Sequence, residues 1–246
     1  MKVDFTTGIR ICDRFSSDLL AMLCLAGPVQ APGALTPHDA EYNVRITVVS
    51  GRLRTELKVT ETGYSAKHSV RATGMSRLIA RGEITEVSDF GNGPDGLYPS
   101  AYRSKDTLSR DKSRADIQFD WGNNQAMGTV NGEEFEATLG GLSHDRVSIQ
   151  YELMHDLLND GPSERYRMFD IDKQRLLDIR SVGTKQVKVP AGSFEAIGIQ
   201  HQAENSSRVT TLWCVKELGY LPVIIEQHRK GKLRVRAKLR SYAPTD

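Results

Sequence analysis

Residues 185–239, KQVKVPAGSFEAIGIQHQAENSSRVTTLWCVKELGYLPVIIEQHRKGKLRVRAKL, decide the fold. Val187 and Val189 alternate with polar neighbours until Pro190-Ala191-Gly192 breaks the run. Phe194 to Ile199 follows, then Val209 to Cys214 with Trp213, then Leu221 to Gln227. A turn at Lys230-Gly231 leads into Leu233 to Leu239. Alternation of period two, bounded by Gly and Pro, predicts antiparallel strands joined by short turns. The same alternation sets Trp213 and Cys214 on opposite faces.

Upstream the pattern repeats. Ala40, Tyr42, Val44, Ile46 and Val48 face one way, and Glu41, Asn43, Arg45 and Thr47 the other. Such a strand turns one side to a core and the other to water. Leu53, Thr55, Leu57 and Val59 form a second strand, and Tyr64 to Val70 a third. Met75, Leu78 and Ile79 have helical spacing and predict a short helical turn. Glu83 to Phe90 reads as a weak strand, Tyr102 opens another, and Ala115, Ile117, Phe119 and Trp121 mark a clear one. Met127 to Val130 and Glu133 to Ala137 flank Asn131-Gly132, a pair suited to a type I′ hairpin turn. Arg165 to Ile171 and Gln174 to Ser181 read as two more strands.

The principal helix is expected over Asp145 to Asn159. Ile149, Leu153 and Leu157 form one apolar row, with Met154 and Leu158 beside it and Val147 at the margin. That stripe is wide enough to pack on a sheet, and Gly161-Pro162 ends it. The fold class read from these patterns is therefore mainly β (α+β), an antiparallel sheet with one principal helix packed on it.

Residues 1–26 stand apart. Lys2, Arg10 and Arg14 precede an apolar run from Leu19 to Ala26, followed by Gly27-Pro28. This order predicts a secretory signal peptide, and the run falls short of the roughly 20 residues a membrane-spanning helix needs. Cleavage is expected near Ala26. A cut after Ala31 would place Pro32 directly behind it. The mature region, 27–246, is read as one β domain with an extended leader, periplasmic or otherwise exported. The net charge of +2 argues against a nucleic-acid partner. Removing residues 1–26 leaves Cys214 alone, with no disulfide or cysteine metal cluster to form.

Candidate chemistry is sparse. Gly91, Gly93 and Gly96 follow the order G-x-G-x-x-G, but Pro94 lies inside it and Pro99 follows, so no helix opens there to cradle a phosphate. A glycine-rich turn is the better reading. Asp116 and Asp120 sit about 13 Å apart along one strand, too far for paired carboxylate catalysis. His155 and Asp156 are helix neighbours that point apart, which predicts solvent exposure for His155. The six histidines lack metal-ligand spacing. No catalytic residue, metal ligand or cofactor is assigned.

Two groups carry binding hypotheses. Tyr42, Tyr64, Tyr102, Phe119, Trp121 and Trp213 lie on candidate strands, as does Phe135. They line either a pocket for a lipid or other apolar molecule or a core plugged by the helix. Arg234, Arg236, Lys238 and Arg240 share one strand face. That row either meets phosphates, anionic lipid or a partner protein, or pairs with carboxylates on a neighbouring strand.

The segments Gly96-Leu97-Tyr98-Pro99, Phe119-Asp120-Trp121, Val189-Pro190-Ala191-Gly192-Ser193-Phe194-Glu195-Ala196, Leu212-Trp213 and Leu221-Pro222-Val223 occur in an order that resembles a bacterial exported family known only as domain of unknown function 3108. The resemblance runs from about Tyr42 to Leu239. Its ending is also similar to that of periplasmic lipoprotein carriers and outer-membrane lipoprotein receptors. The resemblance implies an incomplete β-barrel with a helix on the concave side, and lipid or lipoprotein handling without an established catalytic residue. The expectation is a non-enzymatic envelope protein that binds an apolar ligand in the concavity. The alternative is a module that binds another envelope protein through strand edges or the basic last strand.

Overall fold

The computed structural model describes residues 33–159, 161–171 and 173–245; the expected signal peptide lies outside them. In chain order the strands are β1 (His38–Ile46), β2 (Val49–Thr60), β3 (Gly63–Ala72), β4 (Glu83–Gly93), β5 (Gly96–Asp106), β6 (Ser113–Asp120), β7 (Gln125–Val130) and β8 (Glu133–Thr138). The two-residue β9 (Ser143–His144) and helix α1 (Ser148–Leu158) follow. Then come β10 (Arg165–Asp170), β11 (Lys173–Val189), β12 (Gly192–Ala203), β13 (Arg208–Val215), β14 (Leu221–Arg229) and β15 (Lys232–Pro244).

All fifteen strands join one sheet, in the order β8-β7-β6-β5-β4-β3-β2-β1-β15-β14-β13-β12-β11-β10-β9. Two sequential meanders are thus stitched together by the first and last strands, β1 against β15. The curved sheet is not closed into a barrel. Neighbours are antiparallel except β9 and β10, a short parallel pair that alternation does not reveal.

Alternation accounts for the layers. In β1 His38, Ala40, Tyr42 and Val44 are buried while Asp39 and Asn43 are exposed. Tyr42 lies opposite Leu53 on one side and Leu239 on the other, so one apolar row crosses three strands. Helix α1 covers this inward face. Its Leu153 packs with Ile199, Leu212 and Cys214, joined by Ile149 and Leu157. Met154, Val147 and Leu158 belong to the larger cluster, as does Tyr151, which the aliphatic stripe does not mark.

The helix begins three residues later than its sequence suggests. Asp145 is fully buried and its carboxylate accepts the N–H groups of Val147 and Ser148 at 2.8 and 2.9 Å. It also accepts the hydroxyl of Ser88 on β4 at 2.6 Å. Such side-chain to backbone bonds favour a turn over continued helix. Residues 174–189, read as two strands, are one, with a bulge between Ser181 and Thr184 at Gly183 (φ +87°). The G-x-G-x-x-G segment is the β4–β5 hairpin, and the expected helical turn is a 3-10 turn over Gly74–Leu78.

Candidate functional site

Helix α1 packs on the concave side. Tyr42 and Tyr102 are fully buried, and Tyr64 and Phe119 nearly so. Tyr64 stacks on Phe90 at 5.7 Å, and Phe90 stacks on Tyr151 of α1 at 5.5 Å. Phe119 stacks on Trp121 and meets Phe169 edge-on, both at 5.9 Å. Trp121 is half-buried and donates its indole N–H to the Pro99 carbonyl at 2.6 Å. These aromatic rings, together with Phe135 against Phe169, form packed core.

Trp213 is placed differently. It pairs with Gly198 across β12–β13, whereas Leu212 pairs with Ile199 in the cluster around Leu153. Its ring lies so close to Gly198 that a Cβ there would stand 2.8 Å from it. The Lys185 ammonium sits 3.5 Å from the ring centroid, a cation–π contact. Trp213 is sealed on the face away from α1, while Cys214 packs beneath the helix.

Polar groups pin the helix. Glu152, buried beside β5, accepts the Leu97 N–H at 2.7 Å. Burial raises its pKa to about 7, against the opposing effect of that hydrogen bond. His144 Nε2 lies 3.9 Å from the Glu152 carboxyl, and burial lowers the histidine to about 4. Between those values both groups are uncharged, which suits a dry interior. Asp156 accepts the Tyr166 hydroxyl at 2.5 Å. His155 is half-buried rather than solvated, with Nδ1 3.6 Å from Asp156: the side chains of these helix neighbours bend toward each other. The Asp156 carboxylate beside it raises the His155 pKa. This set resembles acid–base machinery in composition, yet Glu152 and His144 are buried, and the bonds of Glu152 and Asp156 serve to hold α1 to β5 and β10.

Two cavities open on the outward face among the described residues. One, of about 820 Å³, lies over β1–β4 and holds both signs of charge. Glu41 lines it, and its carboxylate binds Arg52 at 2.6 Å, Arg54 at 3.1 Å and Arg240 at 2.9 Å. Burial opposes ionisation of Glu41, but the hydrogen bonds from Arg52 and Arg54 outweigh it and lower the pKa.

The second cavity, about 610 Å³, is lined by Arg45, Asn43, Ser50, Arg234, Arg236 and Lys238, among others, and by no carboxylate among the described residues. Arg45 stands directly opposite Arg236, and Asn43 opposite Lys238. Like charges opposed across strands are destabilising, so this arrangement favours a bound anion. Arg236 is partly neutralised by Glu226 at 2.7 Å. Of the basic row expected from sequence, Arg234, Arg236 and Lys238 converge here, whereas Arg240 is committed to Glu41. Arg45 completes the group from β1, and only the pairing of first and last strands brings it there.

The family model for DUF3108, described as a protein of unknown function, matches residues 39–237. The chain belongs to this family. A solved β-barrel-like protein of the domain of unknown function DUF1849, from Brucella abortus, superposes with a TM-score of 0.58 at 12% identity. That match covers 87% of this chain and 99% of the other, and it shows a shared fold. A "putative lipoprotein" from Parabacteroides distasonis aligns over 86% of this chain and 98% of its own, at 10% identity and a TM-score of 0.31. No curated protein matches the DUF3108 chain.

Proposed function

We propose that this DUF3108 protein is a non-enzymatic protein of the bacterial envelope that binds the anionic head of a ligand on its outward face. The observation that carries the reading is the cavity with Arg45, Arg234, Arg236 and Lys238 on its wall and no carboxylate among the described residues that line it. Two of these cations face each other across paired strands, a placement that a bound phosphate or carboxylate would turn from repulsive to attractive. Support for export comes from the basic, apolar and small-residue order of residues 1–26. Calorimetric titration with pyrophosphate tests the site. Saturable binding that weakens tenfold or more in Arg45→Gln/Lys238→Gln is expected. Equal affinity in parent and variant would remove the reading.

A second reading places an apolar ligand beneath α1, as the aromatic lining suggests. It is favoured by His38, 1% exposed, whose Nε2 has no hydrogen-bond partner among the described residues although it is buried beside Tyr151 and Tyr242. Buried polar atoms rarely remain unpaired. An apolar guest with a polar head would have to displace α1 to reach it. Native mass spectrometry of protein purified without detergent should then show a copurified lipid; bare protein alone would count against this reading.

A further inference from the structure

Three turns meet at one end of the central strands. The β1–β2 turn, the β3–β4 connection and the start of β15 are tied together by backbone and side-chain bonds. Thr47 donates its N–H to the Arg234 carbonyl at 3.0 Å, Thr73 donates to Ser50 at 2.9 Å, and the Ser50 N–H reaches the Ser76 hydroxyl at 2.9 Å. This rim borders the basic cavity, whose wall includes Thr47, Ser50 and Thr73.

Large apolar side chains are exposed here. Val48 is 77% exposed, Met75 82%, Leu78 68% and Ile79 75%, with Ile46 and Leu233 also exposed beside them. The 3-10 turn that carries Met75 and Leu78 buries none of its residues. Folding therefore gains little from these side chains, and each exposes apolar area that burial elsewhere would remove from water.

Cations lie along the same rim. Arg77 and Arg81 interleave with Met75, Leu78 and Ile79 along the chain. Lys230 and Lys232 flank the β14–β15 turn. Further along the same rim, Arg208 pairs with Arg229, and Arg229 with Lys232, so three exposed cations stand in register across three strands. Glu83, the carboxylate at the start of β4, is engaged by Arg71 at 2.7 Å.

We infer that this rim docks on an anionic lipid bilayer, with Val48, Met75, Leu78 and Ile79 entering the interface and the surrounding cations meeting lipid phosphates. Protruding aliphatic tips within a basic ring are the pattern of an interfacial anchor: apolar area enters the acyl boundary while cations meet anionic head groups. A nucleic acid would use the cations and leave the aliphatic tips in water. A folded acidic partner would need a complementary pocket for each separate tip, whereas a fluid bilayer accepts them as they stand. The inference rests on the anion-binding reading, since it supplies the lipid head group as the source of the anion.

The test uses the purified full chain, with vesicles of phosphatidylcholine alone and vesicles containing about a third phosphatidylglycerol. Sedimentation with the anionic vesicles only, falling as salt rises, is expected. Met75→Ser/Leu78→Ser/Ile79→Ser should lose vesicle binding about tenfold or more while keeping pyrophosphate binding. Ile79→Trp should shift its emission to the blue on anionic vesicles. Undiminished vesicle binding by the triple-serine variant, or an unmoved Ile79→Trp emission, would overturn the inference. A DNA duplex or acidic peptide binding the triple-serine variant as tightly as the parent, with vesicles ignored by both, would also overturn it. A parent chain that inserts into anionic vesicles but does not bind pyrophosphate would reject the cavity as a head-group site and leave the rim as the anchor.

Discussion

The Glu152 carboxyl occupies the space in which a Cβ at position 96 would stand: such an atom would lie 2.1 Å from Oε1. The same carboxyl accepts the N–H of Leu97 at 2.7 Å. Gly96 also has φ +132°, a conformation side chains rarely adopt. The glycine is what lets the helix hold the β4–β5 hairpin. Gly96→Ala is therefore expected to cost at least about twice the roughly 1 kcal/mol of a positive-φ substitution in open space. Gly132→Ala is the control, since Gly132 has φ +89° and nothing within 4 Å of its would-be Cβ. Urea unfolding of both variants measures the difference, and equal midpoints would contradict the contact.

Glu152 also sets a pH dependence. Its folded pKa is about 7 against an ordinary 4.5, so the native state keeps a proton that the unfolded chain releases. Its contribution to stability is full below pH 4.5 and declines as pH rises to about 7. Glu152→Gln cannot ionise. Relative to the parent it should gain on the order of 2 kcal/mol between pH 5 and pH 8. Urea unfolding at the two pH values reads the change, and a constant difference would show that Glu152 ionises normally.

Leu153 and His155 separate packing from surface on one helix. Leu153 is buried against Ile199, Leu212 and Cys214, so Leu153→Ala should cost about 2–5 kcal/mol. His155 is half-buried, and His155→Ala should cost less than about 1 kcal/mol. Matching denaturation midpoints would place α1 in a different orientation.

The basic cavity predicts opposite effects on stability and binding. Arg45 opposes Arg236 across β1–β15. Removing its charge in Arg45→Gln should raise stability by a few tenths of a kcal/mol to about 1 kcal/mol while weakening pyrophosphate binding. Thermal melts with and without pyrophosphate should show a smaller ligand-dependent rise in the variant than in the parent. An unchanged rise would remove Arg45 from the site.

Much of this fold is legible locally. The runs from Phe194 to Ile199, Val209 to Cys214 and Leu233 to Leu239 alternate because one side of each strand is dry, and all three are strands. Asn131 and Gly132 both adopt positive φ, as their turn requires. What sequence hides is long-range. Gly96 reads as a turn residue, but its reason, Glu152, lies far along the chain. Tyr151 stands outside the aliphatic stripe yet is fully buried. Pairing of the first strand with the last leaves no periodic signal, and that pairing alone turns Arg45 and the Arg234–Lys238 row into one cavity.

The central claim is that ligand is taken on the outward face and not beneath α1. Nuclear magnetic resonance with selectively labelled arginine and tryptophan side chains tests it most directly, using dihexanoyl phosphatidylglycerol below its micelle concentration. Shifts are expected at the Arg45, Arg234 and Arg236 Nε–H signals, with the Trp121 and Trp213 indole N–H signals unmoved. Shifts confined to the two indoles, with the arginines silent, would contradict it.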